Sequence, residues 1–151
     1  FHHPGQLVVY PIVNLTFYKT KVYTVMSNMF KELTKNLNEL YENKDFDYCR
    51  NLLGLWEGNK KIASIGLQVR RFVTFHGLAL NVFADDLANE NLNYIFPCGL
   101  PSDIYSNLST LYSKKLTATD IELIADKFSQ NFPNIINESN CINSLDNDTL
   151  L

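Results

Sequence analysis

The sequence predicts an α/β (α+β) domain, a sheet layered with helices, and three observations carry that expectation. Its 151 residues amount to one domain by length and are enough to bury a core. A helical period runs from about residue 20 to 42, whereas β-rich runs bounded by turn signals occupy residues 7–13 and much of 52–86. Strands and helices mix without strict alternation, and no internal repeat is visible.

Taken in order, "LVVYPIV" (7–13) is β-branched and apolar on both faces, as in a strand covered on both sides, and Pro11 marks an edge or a bulge in it. The helix places Val22, Val25, Met26, Met29, Leu33, Leu37, Leu40 and Tyr41 on one stripe, with Lys31, Glu32, Lys35 and Glu39 expected toward solvent. "NKDFDYCRN" (43–51) is a polar connection with room for a short strand. Three strands follow: Gly58-Asn59 marks a hairpin between "LGLWE" and "KKIASIGLQV", and Arg70-Arg71 marks the join to "FVTFHGLALNV". "LANENLN" is a loop or a single helical turn leading to "YIFP" and Cys98. Residues 102–112 read as weakly helical. Thr119-Asp120-Ile121-Glu122 forms a capping box, with helical periodicity through Ile121, Ile124, Ala125 and Phe128 to near Asn131, before Pro133. The domain is therefore expected to span 1–136, and the Asn- and Ser-rich stretch 137–151 to be a disordered tail.

Composition narrows the function. Apolar residues make up 46% and charged residues 19%, an ordinary soluble balance, and 13 basic against 16 acidic residues give −3, which implies no nucleic-acid surface. Cys49, Cys98 and Cys141 lie more than 40 residues apart, neither a disulfide framework nor zinc-ligand spacing, and suit a reducing compartment. No apolar run is long enough to cross a bilayer. The chain opens on Phe1 and runs directly into a turn and strand with no signal or tag pattern, so a fragment lacking its N-terminal part is expected.

Three residues carry candidate chemistry. Cys98, between Pro97 and Gly99, is either a small buried hydrophobe or a nucleophile, and a thiolate needs access and a cationic neighbour. Lys61 directly precedes "IASIG"; a regular strand starting there puts its side chain on one face with Ala63, Ile65 and Leu67. Partial desolvation on that face would lower its pKa and equip it as a base, whereas Lys60 reads as a snorkelling surface residue. His76 is either a satisfied half-buried histidine or the partner of Cys98 in a cysteine hydrolase. Gly66 and Gly77 are bulge glycines, or they leave bare backbone for an extended ligand.

The blocks "HPGQLVVYPI", "KIASIGLQVRRFVTFHGLALNV" and "PCG", in that order, resemble the lipoyl(octanoyl) transferases over roughly residues 1 to 100. The resemblance implies the fold shared with biotin protein ligases and lipoate ligases, a mixed sheet with flanking helices, here incomplete on its N-terminal side. It implies transfer of an octanoyl group from octanoyl-acyl carrier protein, through a cysteine thioester, to a lysine of lipoyl domains in 2-oxoacid dehydrogenase complexes and of the glycine cleavage H protein. Cys98 matches the nucleophile and Lys61 its partner, with His76 a possible supporting residue. The acyl chain would lie against Ser64, Ile65, Gly66, Gly77, Leu78 and Ala79. Phe1 and His2 match the last two positions of a binding segment Arg-Gly-Gly-x-x-Thr-Tyr-His, and His3 stands where the family usually has glycine. No metal, nucleotide or other cofactor, and no nucleic-acid or membrane partner, is implied. The implied location is the cytoplasm, or the mitochondrion in a eukaryote. The alternative is a non-catalytic acyl- or lipoyl-binding fragment of such a transferase. Arg70 and Arg71 would either steer acidic carrier domains or form a solvated strand end.

Overall fold

The computed structural model describes residues 2–49, 53–85 and 100–136. Among the described residues five strands form one sheet: β1 (Gln6–Val9), β2 (Asp47–Cys49), β3 (Gly54–Glu57), β4 (Lys60–Arg70) and β5 (Val73–Asn81). Their order is β1-β5-β4-β3-β2, and every ladder is antiparallel. A parallel element appears as a single bridge between Lys61 and Tyr105. The helices among the described residues are α1 (Val22–Leu40), α2 (Leu108–Leu111), α3 (Ala118–Gln130) and α4 (Phe132–Ile136), with a 3₁₀ turn at Ser102–Ile104. No helix among the described residues is long and apolar enough to cross a membrane.

Alternation along the strands separates two faces. One cross-strand row reads Leu7, Leu80, Ala63, Leu55, and the row beside it Val9, Leu78, Ile65. All but the half-buried Val9 are buried, and they meet Val25, Met29, Phe30, Leu33 and Leu37 of α1 with Ile124 and Phe128 of α3 in one core. Each large side chain so buried contributes about 1.5–3 kcal/mol. The opposite row, Val8, Ala79, Ser64, Gly54, falls on the other face of the pleat.

The two hairpins turn differently. Between β3 and β4 the positive φ (55°) falls on Gly58. Between β4 and β5 both loop residues, Arg71 (φ 50°) and Phe72 (φ 63°), are left-handed, a type I′ turn made without the usual Asn-Gly. β1 stops short of the expected 7–13, because Pro11 has no N–H for the ladder. The buried Thr74 hydroxyl bridges that break: it donates to the Pro11 carbonyl and accepts the Val13 N–H.

Three expectations need correction. Glu32 is buried, not solvent-facing, because α1 carries a second, polar face made of Asn28, Glu32 and Asn36. There α4 closes on α1: Asn28 donates to the carbonyls of Asn134 and Ile135, and Asn131 donates to Asn36. The capping box of α3 is Thr117 with Asp120, two residues before the expected pair. The Asp120 carboxylate accepts from the Thr117 N–H (2.9 Å) and from the Tyr41 hydroxyl (3.1 Å), a tertiary contact that selects this register. Finally, Pro133 does not lie beyond the last helix but sits in the first turn of α4, where a missing N–H costs nothing.

Candidate active site

A β-bulge decides where Lys61 goes. The β3–β4 ladder pairs Gly54 with Ser64 and Leu55 with Ala63, then Trp56 with Lys61 and Glu57 with Lys60. Ile62 is thus one residue too many on β4, and a bulge re-aims the side chains around it. Ile62 takes the core place, and Lys61 turns to the other face. Its stem crosses the Cα of Gly54, where an added Cβ would collide with Lys61 Cε. The expected company of Ala63, Ile65 and Leu67 is therefore overturned: Lys61 shares its face with Gly54, Trp56 and Ser64. The lysine is nonetheless fully buried, at 0% exposure.

That face has a floor of small residues. Directly paired across the strands are Gly54 with Ser64, Ser64 with Ala79, and Gly66 with Gly77. A Cβ at Gly66 would meet nothing within 4 Å, so the floor is open there. Of the residues singled out for acyl binding, Ser64, Gly66 and Ala79 come together on this face beyond Lys61, whereas the side-chain side of Gly77 is covered by the Val9 carbonyl and the Pro11 ring of the neighbouring segment. Ile65 and Leu78 pair with each other but turn into the core, leaving only their backbones at the groove. Cys98 and Phe1 lie outside the described residues.

His76 is placed elsewhere. It is exposed, takes a left-handed φ of 59°, and packs edge-on against Tyr10 with ring centroids 6.1 Å apart. It pairs with Leu67, six positions along β4 from Lys61, which at strand rise is about 20 Å. Arg70 and Arg71 stand farther still, roughly 30 Å along the same strand.

A polar relay fixes the Lys61 end. His2 Nδ1 lies 3.0 Å from Gln6 Oε1, Gln6 Nε2 donates to Asn81 Oδ1 (2.8 Å), and Asn81 Nδ2 donates to the Ser106 carbonyl (2.9 Å). The Ser106 N–H in turn donates to the Lys61 carbonyl (3.0 Å). Lys60 adds a second clamp, donating from Nζ to the Asp103 carbonyl (2.7 Å). The segment from Leu100 to Ser106, which begins two residues after Cys98 in sequence, is thus fastened along the start of β4. His3 folds back on its own turn, where its Nδ1 accepts the Gly5 N–H (3.1 Å). Burial lowers its pKa, against an opposing pull from Asp85.

Sequence reasoning missed Gly54, Trp56, Gln6 and Asn81. Trp56 is buried, and Lys61 Nζ lies 5.7 Å from the centroid of its ring. The signal for Gln6 and Asn81 was available: both are polar residues inside otherwise apolar strand motifs. Chemically, the arrangement is an enclosed amine at the head of a shallow trough whose floor has almost no side chains. Such a trough accommodates an extended, unbranched ligand laid against backbone.

Residues 1–132 match the family model described as the lipoyl protein ligase A/B catalytic domain. The chain is 37% identical over 100 residues to a chloroplastic octanoyltransferase of Arabidopsis thaliana, covering 66% of this chain and 34% of that one. It is 30% identical over 147 residues to a probable octanoyltransferase of Picrophilus torridus, covering 97% and 58%. An octanoyltransferase of Prochlorococcus marinus is 33% identical over 129 residues, covering 85% and 58%. The chain thus spans between about a third and three fifths of these relatives' lengths. In fold it is similar to the biotin protein ligase of Aquifex aeolicus, with a TM-score of 0.62 at 13% identity, over 87% of this chain and 55% of that one.

Proposed function

The chain belongs to the lipoyl protein ligase A/B catalytic domain family, and on that premise we propose that it transfers an octanoyl group from acyl carrier protein to a lysine of lipoyl domains. The observation that carries this reading is the buried Lys61, turned by the bulge to the head of a glycine- and alanine-floored trough. An acyl chain would lie along Ser64, Gly66 and Ala79, its carbonyl toward Lys61.

The chemistry would run in two exchanges. The Cys98 thiolate attacks the carbonyl carbon of the donor thioester; a new C–S bond forms, the carrier's C–S bond breaks, and the carrier thiolate takes a proton from Lys61. The acceptor lysine then attacks the acyl-enzyme as a neutral amine. Its proton passes to Lys61, the amide C–N bond forms, and Cys98 leaves as a thiolate. No nucleotide is consumed, because the acyl group arrives already activated as a thioester. The names of the curated relatives support the transferase half of the family over its ligase half.

The test is to incubate the whole chain with octanoyl-acyl carrier protein and weigh it intact. One octanoyl adduct is expected, absent in Cys98→Ser and kept in Cys49→Ser and Cys141→Ser. Lys61→Met should slow adduct formation by about 10²–10⁴-fold, the range for loss of general acid–base catalysis, and Lys60→Met should change it little. An adduct on Cys49 or Cys141 overturns the assignment. Octanoyl bound without a covalent link means a binding fragment, not a transferase.

A further inference from the structure

Lysine is a poor choice for a group that must deliver a proton to one place, because its stem is long and freely rotating. Lys61 is held by more than its burial. Below it, Gly54 offers a notch: no side chain larger than hydrogen leaves room for the Lys61 stem there, and an added Cβ would also approach the Ala63 carbonyl (2.8 Å) and Trp56 Nε1 (3.1 Å). Beside it stands the indole of Trp56, the chain's single tryptophan, 5.7 Å from Nζ to ring centroid. That separation falls within cation–π range, where a desolvated ring face attracts an ammonium most strongly. The indole is itself enclosed, since Trp56 is 8% exposed and is the residue that pairs with Lys61 just past the bulge.

We propose that Trp56 is a positioning residue for acyl transfer: its ring face holds the Lys61 ammonium over the Gly54 notch, so that the proton is presented at one point in the trough. The inference deepens the transferase reading and rests on it for its catalytic purpose. The seat itself does not depend on what Lys61 does. Trp56 acts through Lys61 and need not touch the substrate. A ring at position 56 is what the role requires, so phenylalanine should replace tryptophan in part, whereas leucine of similar apolarity should not.

The experiment has two arms on the full chain. In the first, lysine side chains carrying ¹³C at Cε are observed by NMR, with Lys61→Met assigning the signal. The Lys61 methylene should resonate upfield of the other lysines in the parent, less so in Trp56→Phe, and not at all in Trp56→Leu. In the second, kcat for octanoyl transfer should fall about tenfold in Trp56→Leu, with KM for the octanoyl-acyl carrier protein unchanged and most of the rate restored in Trp56→Phe. A merely structural role would instead give equal losses in both variants, in step with their melting temperatures, and would sink the proposal. So would a Lys61 methylene that is not displaced in the active parent, a result that needs no variant to fold. A parent with no transfer activity but a displaced methylene removes the transferase reading, and the catalytic purpose with it.

Discussion

Gly66 and Gly77 stand directly opposite each other in the β4–β5 ladder, yet alanine should be tolerated at one and not at the other. At Gly77 an added Cβ would drive into the Val9 carbonyl oxygen and come within 2.7 Å of Pro11 Cδ and 3.0 Å of the Val9 carbonyl carbon. Two of those three atoms are backbone, so no rotamer change relieves the contact. β1 must move off β5 by roughly 1 Å, straining the Val9–Leu78 and Val8–Ala79 pairs. Overpacking of this kind costs about 1–3 kcal/mol, and a weakened ladder hydrogen bond adds about 1 kcal/mol. About 3 kcal/mol is therefore expected, or a melting temperature lower by roughly 6–12 °C in a domain of this size. At Gly66 nothing lies within 4 Å of the same atom. Gly66→Ala should be neutral or stabilise by up to about 1 kcal/mol, through a less flexible unfolded chain. Its effect should appear in the ligand instead, because the methyl stands on the open floor: octanoyl transfer should weaken while the fold holds. Thermal melts by circular dichroism, beside intact-mass acylation of the Gly66 variant, read both arms. Equal melting temperatures for the two variants would refute the close approach of β1 to Gly77, and undiminished acylation of Gly66→Ala would remove Gly66 from the floor.

Three other outcomes are expected. Burial pushes the Tyr112 phenol up to about 12, with Glu42 and Glu57 adding to the shift, and burial also raises Tyr41, helped by Asp120. A raised pKa in the folded state means that this stability is complete below the ordinary tyrosine value and is lost as pH climbs toward the folded one. Tyrosinate absorbance above pH ~10 should therefore grow together with unfolding, and Tyr112→Phe should move that alkaline midpoint upward. Thr117→Ala should destabilise α3 by about 0.5–2 kcal/mol in denaturant melts, while Thr119→Ala, at a position inside the helix, should cost less than about 0.5 kcal/mol. Asn81→Ala should leave Gln6 and the Ser106 carbonyl without their shared partner, lowering stability by about 1–3 kcal/mol and speeding amide exchange at Ser106.

The strands were legible because β-rich composition and turn residues are local properties, and the helix of residues 20–42 because its period survives single exceptions. Gly58-Asn59 and Arg70-Arg71 marked their hairpins for the same reason. What escaped was tertiary. Glu32 reads as a solvent residue on the periodicity of α1, yet it is buried on the face where α4, about a hundred residues later, returns to bond Asn28. The two overlapping Thr-x-x-acid patterns at 117 and 119 are locally equivalent, and Tyr41 chooses between them. In the site, Lys61 was nameable but its face was not. No turn residue, proline or glycine announces the bulge at Ile62, so period-two counting sent the lysine to the wrong side.

The bulge can be repaired in two ways, and they are not equivalent. Deleting Ile62 would leave Leu55 opposite Ala63 and Trp56 opposite Lys61 in a regular ladder, with the lysine still over the trough and only a core isoleucine lost. Inserting one residue into β3 between Leu55 and Trp56 would give Ile62 the partner it lacks, but by ordinary alternation would swing both Trp56 and Lys61 to the helix side. One repair shortens the hairpin and preserves the amine; the other lengthens it and buries a charge in the core. Length variation in this hairpin is therefore one-directional: it can lose its odd residue, but it cannot match it.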